Sequence, residues 1–211
     1  MSSNAENLPL QHRIVWGVLI LVIAGLIGAG LWERMKDSSP PLPTYGQVEG
    51  FSLLNQSGRT VTAEDLRGSV WVADFIFTRC AGTCTLMTQA FTALDKQLSD
   101  LPAVRLVSFT MDPEHDTPEE LAKYAERNGA QAPRWLFLTG KKPELYSLTR
   151  DQFKLVVSDQ GGTQDEPIIH SDKLVLVDQK GRIRGYFSGQ DPESIKALAA
   201  AVRKLVHVRQ D

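Results

Sequence analysis

The sequence predicts an α/β protein, in which a mixed central sheet carries helices on both faces and one hydrophobic helix precedes it. Three observations support this class. Apolar runs typical of buried strands alternate with segments whose apolar residues recur at helical spacing. Two hairpin signals flank that alternation. Hydrophobic residues make up 42% of the 211 residues and charged residues 23%, which is typical of a folded chain.

The charge and cysteine counts exclude two classes of protein. Lys and Arg number 23 against 25 Asp and Glu, a net charge of −2, so the chain lacks the basic character of a nucleic-acid binder. Two cysteines are too few for a disulfide-stabilised scaffold. They are sufficient for one bridge or for two ligands to a single metal ion.

Residues 14–32 are predicted to form a transmembrane anchor. These nineteen residues carry no charge. As a helix they span about 28 Å, close to the hydrocarbon thickness of about 30 Å. Trp16 and Trp32 lie near the two ends, where interfacial aromatic residues are expected. The alternative is a cleaved signal peptide, but the apolar stretch is long for one and no small-x-small site closes it cleanly.

The anchor divides the chain into four segments. A short head (1–13) precedes the anchor (14–32), and a polar tether (33–44) leads to the folded domain (45–211). The domain is long enough to fill one hydrophobic core. One Lys or Arg precedes the span and two follow it closely, so the charge rule leaves the topology open. A short head with a large tail, without an Arg-rich transit segment, predicts a single-pass protein of a bacterial inner membrane. We expect its domain to face the periplasm or the cell exterior.

The strands of the domain follow from apolar runs bounded by turn residues. They are predicted at residues 51–54 and 59–62 (a hairpin across NQSG), 70–77, 104–111, 135–138, and 173–177 with 182–187 (a hairpin across DQKG). The run at 70–77 is apolar except for Asp74, which is typical of a central strand covered on both faces.

The helices follow from apolar periodicity and capping residues. They are predicted behind the cysteine motif (Met87, Phe91, Leu94 and Leu98 at helical spacing), from Pro118 to near Gly129 after the capping box of Thr117, near 143–149, and from Pro192 after the cap Asp191. The stretch 158–167 is polar and contains glycine, so we expect a mobile loop there.

Cys80 and Cys84, in the segment FTRCAGTC, lie between a predicted central strand and a helix. Open α/β sheets place their sites at the carboxyl ends of such strands. Cys84 falls in or near the first helical turn, where the helix dipole and unpaired N–H groups favour a thiolate. The spacing lets the two sulfurs bond to each other or bind one ion, and thiolates suit Cu(I) or Zn(II). The alternative is a pair of buried cysteines that act as small hydrophobic residues.

A mononuclear metal site needs a third ligand, and the chain has four histidines. His12 flanks the anchor, and His207 lies on the last helix. His115 follows a strand, and His170 lies between the polar loop and a strand. If both loops open on the cysteine side of the sheet, either His115 or His170 can reach the thiolates.

Four segments resemble the Sco/SenC family in order and spacing, from about residue 51 to 206. They are FTRCAGTC, TMDPEHDTPEELAKYAERNG, WLFLTG and IIHSDKLVLVDQKGRIRGYF. The resemblance implies a thioredoxin-like fold on a single membrane anchor. It also implies copper, Cu(I) or Cu(II), bound by two thiolates and one imidazole, and a role in assembling the binuclear copper site of cytochrome c oxidase. By matching positions, Cys80, Cys84 and His170 are the implied ligands.

The sequence departs from the family pattern at several positions. The family usually has Pro after each cysteine, where this chain has Ala81 and Thr85, and usually has Arg where this chain has His115. His115 is therefore a candidate secondary ligand. Asp74, six residues before Cys80, stands where the best-known Sco proteins have an aromatic residue. It resembles the buried aspartate of thioredoxin, so Asp74 is a candidate proton acceptor; the alternative is a strand residue hydrogen-bonded to nearby backbone.

These observations predict two functions of different class. In the first, the protein is a copper metallochaperone that passes copper by ligand exchange to an acceptor such as a cytochrome c oxidase subunit. In the second, it is a membrane-tethered thiol–disulfide oxidoreductase, in which Cys80 and Cys84 alternate between dithiol and disulfide. The protein is an enzyme only under this second hypothesis. A tethered interaction domain without cysteine chemistry is the third alternative. An oxidising compartment would close the cysteine pair, and a disulfide is a poor copper ligand. Both functions therefore require a thiol–disulfide reductase as a partner.

Overall fold

A computed structural model describes the backbone of residues 10–36, 41–80, 83–158 and 169–207. Side chains are described for the same residues except 10–13, 31–36, 83, 84, 169 and 170. The chain divides into two compact units, Met1–Pro41 and Leu42–Asp211.

The first unit contains helix α1, Leu10–Lys36, which runs for 27 residues. The predicted anchor, residues 14–32, lies within it. Over the residues that the structure describes, no helix combines the length and the apolarity needed to cross a membrane. The anchor stays a prediction from the sequence.

The second unit contains the sheets and the remaining helices. Its strands are β1 (Gly46–Gln47), β2 (Ser52–Asn55), β3 (Thr60–Thr62), β4 (Val70–Ile76), β5 (Val104–Thr110), β6 (Trp135–Thr139), β7 (Val157–Ser158), β8 (Ile169–His170), β9 (Lys173–Val177) and β10 (Arg182–Ser188). Its α-helices are α2 (Thr83–Gln97), α3 (Pro118–Arg127), α4 (Lys142–Ser147) and α5 (Pro192–His207), with a 3₁₀ turn at Glu64–Leu66 and a π turn at Leu148–Gln152.

The main sheet is mixed, as the sequence predicts. Its strand order is β1-β10-β9-β4-β5-β6-β2-β3, with β4, β5 and β6 parallel and their neighbours β9 and β2 antiparallel. Both predicted hairpins are confirmed, β2 with β3 and β9 with β10. Every residue of β4 is buried, which accounts for its continuous apolar run. Because Val70 pairs with Val104 and Ile76 with Thr110, the carboxyl ends of β4 and β5 reach the same edge of the sheet.

Helical segments cover both faces of this sheet. On one face Phe153, just after the π turn, packs against Phe75 with ring centroids 5.1 Å apart. On the other face Phe91 of α2 contacts Trp135, with centroids 5.6 Å apart. Helix α5 contacts both α2 and β4. The helix that follows the cysteine motif is thus packed directly on the central strands.

The predicted helix boundaries are close to those observed. In α3 the Thr117 hydroxyl accepts a hydrogen bond from the Glu120 amide at 3.4 Å, and Pro118 occupies the first helical turn. The predicted helix at 143–149 is α4 followed by the π turn. The loop predicted at 158–167 lies outside the described residues from 159 onwards.

Candidate metal and thiol site

Cys80 lies at the carboxyl end of the central strand, four residues beyond the end of β4. Its side chain is buried, with 8% of its surface exposed, and its amide donates to the Phe77 carbonyl at 3.2 Å. Helix α2 begins at Thr83, so Cys84 is its second residue and lies in the first helical turn, as predicted. The Cys84 side chain lies outside the described part of the structure.

His170 lies in β8, where it pairs with Val157. Two residues later, the Asp172 carbonyl accepts a hydrogen bond from the Gly189 amide at 2.9 Å. Gly189 in turn packs on α2, because a Cβ added to it would lie 3.3 Å from Cγ of Met87. Met87 follows Cys84 by about one helical turn. The backbone therefore brings the turn after His170 against the beginning of α2.

The Asp172 side chain strengthens this turn. Its carboxylate accepts the Ser188 hydroxyl at 2.7 Å, and the Lys173 ammonium lies 3.0 Å from its other oxygen. The turn between β8 and β9 is thus tied to the end of β10. Within the described residues no three His, Cys, Asp or Glu side chains form a group that could hold a metal ion. Two of the three predicted ligands, Cys84 and His170, have side chains outside that description.

Asp74 is buried on the face of the sheet that α2 covers. It pairs in register with Ser108 across the parallel strands β4 and β5, so the two side chains point to the same face. The Ser108 hydroxyl accepts a hydrogen bond from the Trp135 indole at 2.9 Å, and Trp135 contacts Phe91 of α2. Counting residues from Cys80 leaves this orientation open, because the chain leaves the strand before the cysteine.

The carboxyl of Asp74 is fully buried and lacks hydrogen-bond partners among the described residues. Burial raises its pKa from 3.8 to about 7. The nearby Ser108 hydroxyl acts against this rise in pKa, although it does not meet hydrogen-bond geometry to either oxygen. The predicted alternative, a carboxylate bonded to neighbouring backbone, is not observed in this part of the chain. The role of Asp74 as a proton acceptor beneath the helix that follows the cysteine motif stays a prediction.

His115 lies half-buried in the loop between β5 and α3, at the same sheet edge as Cys80. Its amide donates to the Asp112 carbonyl at 3.1 Å. The Asp112 carboxylate binds the guanidinium of Arg79 at 2.6 Å, and Arg79 directly precedes Cys80. The backbone of His115 is therefore connected to the cysteine motif through Asp112 and its ion pair with Arg79. The role of His115 as a secondary ligand stays a prediction.

The structure adds a buried carboxylate to which the sequence analysis assigned no role. Asp116 is fully buried, and its two oxygens accept hydrogen bonds from Thr78 and Thr110. Burial raises the pKa of Asp116, and the two hydroxyls oppose that rise. No local pattern in the sequence marks this connection, because Thr78 and Asp116 follow different strands and meet only where β4 and β5 end at one edge.

A cleft of about 1030 Å³ opens beside this edge, between β2 and α4. Its lining includes Phe51, Pro113 and Gly140, but neither Cys80 nor His115. Among the described residues, the cleft lining thus includes no predicted site residue.

An open mixed sheet with a cysteine pair between its central strand and the next helix defines a thioredoxin-like protein. The family model of SCO1/SenC matches residues 42–207. The chain belongs to the SCO1/SenC family.

Individual relatives agree with this assignment. The SCO1 protein homolog of Bacillus subtilis (strain 168) is 37% identical over 159 residues, which cover 74% of this chain and 79% of that protein. The structure of BsSco, a member of the Sco family of cytochrome c oxidase assembly proteins with a disulfide switch, is 33% identical. It has a TM-score of 0.70 and covers 80% of this chain and 98% of its own.

A more distant structure shares the fold. Arabidopsis thaliana ScoI with copper bound has a TM-score of 0.63 at 22% identity and covers 74% of this chain and 98% of its own. The predicted family resemblance and thioredoxin-like fold are confirmed.

Proposed function

We propose that the chain is a membrane-anchored copper metallochaperone whose copper ligands are Cys80, Cys84 and His170. The observation that carries this proposal is the packing of Gly189 between Met87 and Asp172. Through Gly189, the turn after His170 lies against the first turns of α2, the helix that contains Cys84. Two thiolates and one imidazole form a soft donor set that suits copper. The relatives add support, since BsSco is named among cytochrome c oxidase assembly proteins and Arabidopsis ScoI holds copper.

Transfer of copper requires that one ligand can leave, and we assign this role to His170. Within the described residues, its strand β8 pairs with β7, in a sheet separate from the main one. Segments outside a central sheet open at a lower free energy than core strands do. Cys80, in contrast, follows a central strand. An acceptor such as a cytochrome c oxidase subunit would displace His170 first and the thiolates afterwards.

The membrane anchor and the location of the domain are part of the same proposal. Support comes from the nineteen uncharged residues at 14–32 and from their position within one helix of 27 residues. The described apolar side chains there are exposed, for example Leu21 by 73%. Protease added to intact spheroplasts should remove the domain if it faces the periplasm, and protection of the domain would contradict that topology.

Copper binding by the reduced full chain tests the metal site. Cys80→Ser and Cys84→Ser should each remove most of the copper affinity, because a neutral hydroxyl replaces a thiolate. Ala90→Ser places the same hydroxyl at a buried position of α2 without removing a thiol, and it should bind copper like the parent. Unchanged copper stoichiometry in both cysteine variants would contradict the proposal.

The buried Asp74 carboxyl favours a second function, thiol–disulfide exchange. One cysteine thiolate attacks a disulfide of the partner and forms a mixed disulfide. The second thiol gives its proton to Asp74 and attacks the mixed disulfide, so Cys80 and Cys84 form a disulfide and the second partner sulfur leaves as a thiolate. That thiolate takes the proton from Asp74, and the partner thiolate released in the first step takes a proton from water. Two electrons pass from this chain to the partner, and a reductase must return them. His170→Ala separates the two functions, because it should abolish copper binding and spare exchange.

A further inference from the structure

Both oxygens of the Asp116 carboxylate accept hydrogen bonds from residues at the ends of two strands. Its Oδ1 accepts the Thr78 hydroxyl at 2.5 Å, and its Oδ2 accepts the Thr78 amide at 3.1 Å and the Thr110 hydroxyl at 2.5 Å. Thr78 follows β4 and Thr110 ends β5. Because charge-assisted hydrogen bonds in a buried setting are strong, this carboxylate ties the chain beyond β4 to the end of β5.

The loop that carries Asp116 is itself fixed. The amide of Asp116 donates to the Asp112 carbonyl at 2.8 Å, and the Asp112 amide donates to the Thr110 hydroxyl at 3.0 Å. The ion pair of Asp112 with Arg79 is a weaker tie, because the Arg79 side chain is 57% exposed and water competes for it. Asp116 therefore supplies a buried connection to the segment that enters the cysteine motif.

We infer that Asp116 is a positioning residue, which fixes Thr78 and so sets the approach of Cys80 to copper. This inference rests on the proposed function. Thr78 precedes Cys80 by two residues, so a fixed Thr78 leaves the Cys80 sulfur little freedom. In this inference Asp116 acts through its hydrogen bonds to Thr78 and Thr110 and not as a ligand. A site held in place before binding loses less conformational entropy when it takes the ion, and its affinity is higher.

Variants that lack the hydroxyl of Thr78 or of Thr110, each of which donates to Asp116, distinguish a positioning role of Asp116 from a general effect on stability. Thr78→Val deletes the 2.5 Å hydroxyl hydrogen bond on the segment before Cys80 and leaves the Thr78 amide bond, and Thr110→Val deletes the equivalent 2.5 Å bond on β5. In the full chain, Thr78→Val should weaken copper binding by about tenfold or more and Thr110→Val by less than about threefold. Thr78→Ser retains the hydroxyl and should bind copper like the parent.

Two further readouts complete the experiment. Free energies of unfolding from denaturant titrations show whether Thr78→Val and Thr110→Val destabilise the fold equally. The reduction potential of the Cys80–Cys84 pair should shift in Thr78→Val by about 30 mV, the equivalent of a tenfold change in equilibrium constant. Should Thr78→Val not fold, Thr78→Ala replaces it, because it removes the same hydroxyl and leaves Thr110 bonded to Asp116, with the same expected losses.

The outcomes separate the inference from the proposed function. Equal loss of copper affinity in Thr78→Val and Thr110→Val would reduce Asp116 to a stabiliser of the loop and overturn the inference. A parent chain that binds no copper would refute the metallochaperone. In that case an unchanged reduction potential in Thr78→Val would overturn the positioning role as well, and a shifted potential would support it.

Discussion

Asp74 and Ser108 lie side by side in register across β4 and β5, on the face of the sheet that α2 covers. The Ser108 hydroxyl accepts the Trp135 indole N–H, whereas Asp74 is without a hydrogen-bond partner among the described residues. A carboxyl left in this condition resists ionisation, and burial raises its pKa to about 7. A buried carboxyl without a partner destabilises the folded state when it ionises. Its position beneath α2, the helix that contains Cys84, is consistent with use in proton transfer.

The pH dependence of stability should reveal the Asp74 carboxyl. Because its pKa is raised from 3.8 to about 7 in the folded chain, the folded state retains a proton that the unfolded state has already lost. The stability gained from this proton is complete below about pH 4 and is lost as the pH rises to about 7. Asp74→Asn should lack this decline in the free energy of unfolding, measured by denaturant titration at pH 5 and pH 8. Ser108→Ala, which removes no titrating group there, should keep it; identical slopes in Asp74→Asn and the parent would contradict the raised pKa.

Asp74→Asn should slow disulfide exchange at neutral pH more than it changes copper affinity. The asparagine keeps the shape of the side chain but cannot accept a proton. We expect the reduction rate of the Cys80–Cys84 disulfide to fall about tenfold or more at pH 7. Copper affinity should change by less than about threefold. Equal reduction rates in the variant and the parent would make Asp74 a structural residue only.

The start of the folded domain should affect its stability. Arg184 is buried, pairs with Asp178 at 2.8 Å, and also donates to the backbone carbonyls of Leu42 and Pro43. A fragment of residues 45–211 lacks both carbonyls and should fold, but with a free energy of unfolding about 1–3 kcal/mol lower than that of residues 42–211. Denaturant titrations of the two fragments test this difference. Precipitation of both fragments with exposed apolar surface would refute an independently folding domain.

Much of the fold could be predicted because its signals are local. The apolar run from Val70 identified the central strand, and the turn residues NQSG and DQKG marked both hairpins. The cap at Thr117 set the start of α3. The short strands β1, β7 and β8 escaped prediction, because two residues carry no periodicity.

The candidate site was only partly predictable. Cys84 could be placed in the first turn of a helix from its own neighbours in the sequence. The connection of Asp116 to Thr78 joins residues 38 positions apart and depends on how β4 and β5 align, so no local pattern reveals it. The same alignment decides which face Asp74 occupies, through its pairing with Ser108.

The central claim is that His170 completes a copper site with Cys80 and Cys84, and copper titration of histidine variants tests it most directly. The full chain is reduced, its thiols are counted, and the parent is compared at one pH with His170→Ala, His115→Ala and the control His207→Ala on α5. His170→Ala should lose copper affinity by about a hundredfold or more, because the site would lose its nitrogen ligand. His115→Ala should change it by less than about tenfold, and His207→Ala should match the parent. A larger loss in His115→Ala than in His170→Ala would contradict the claim.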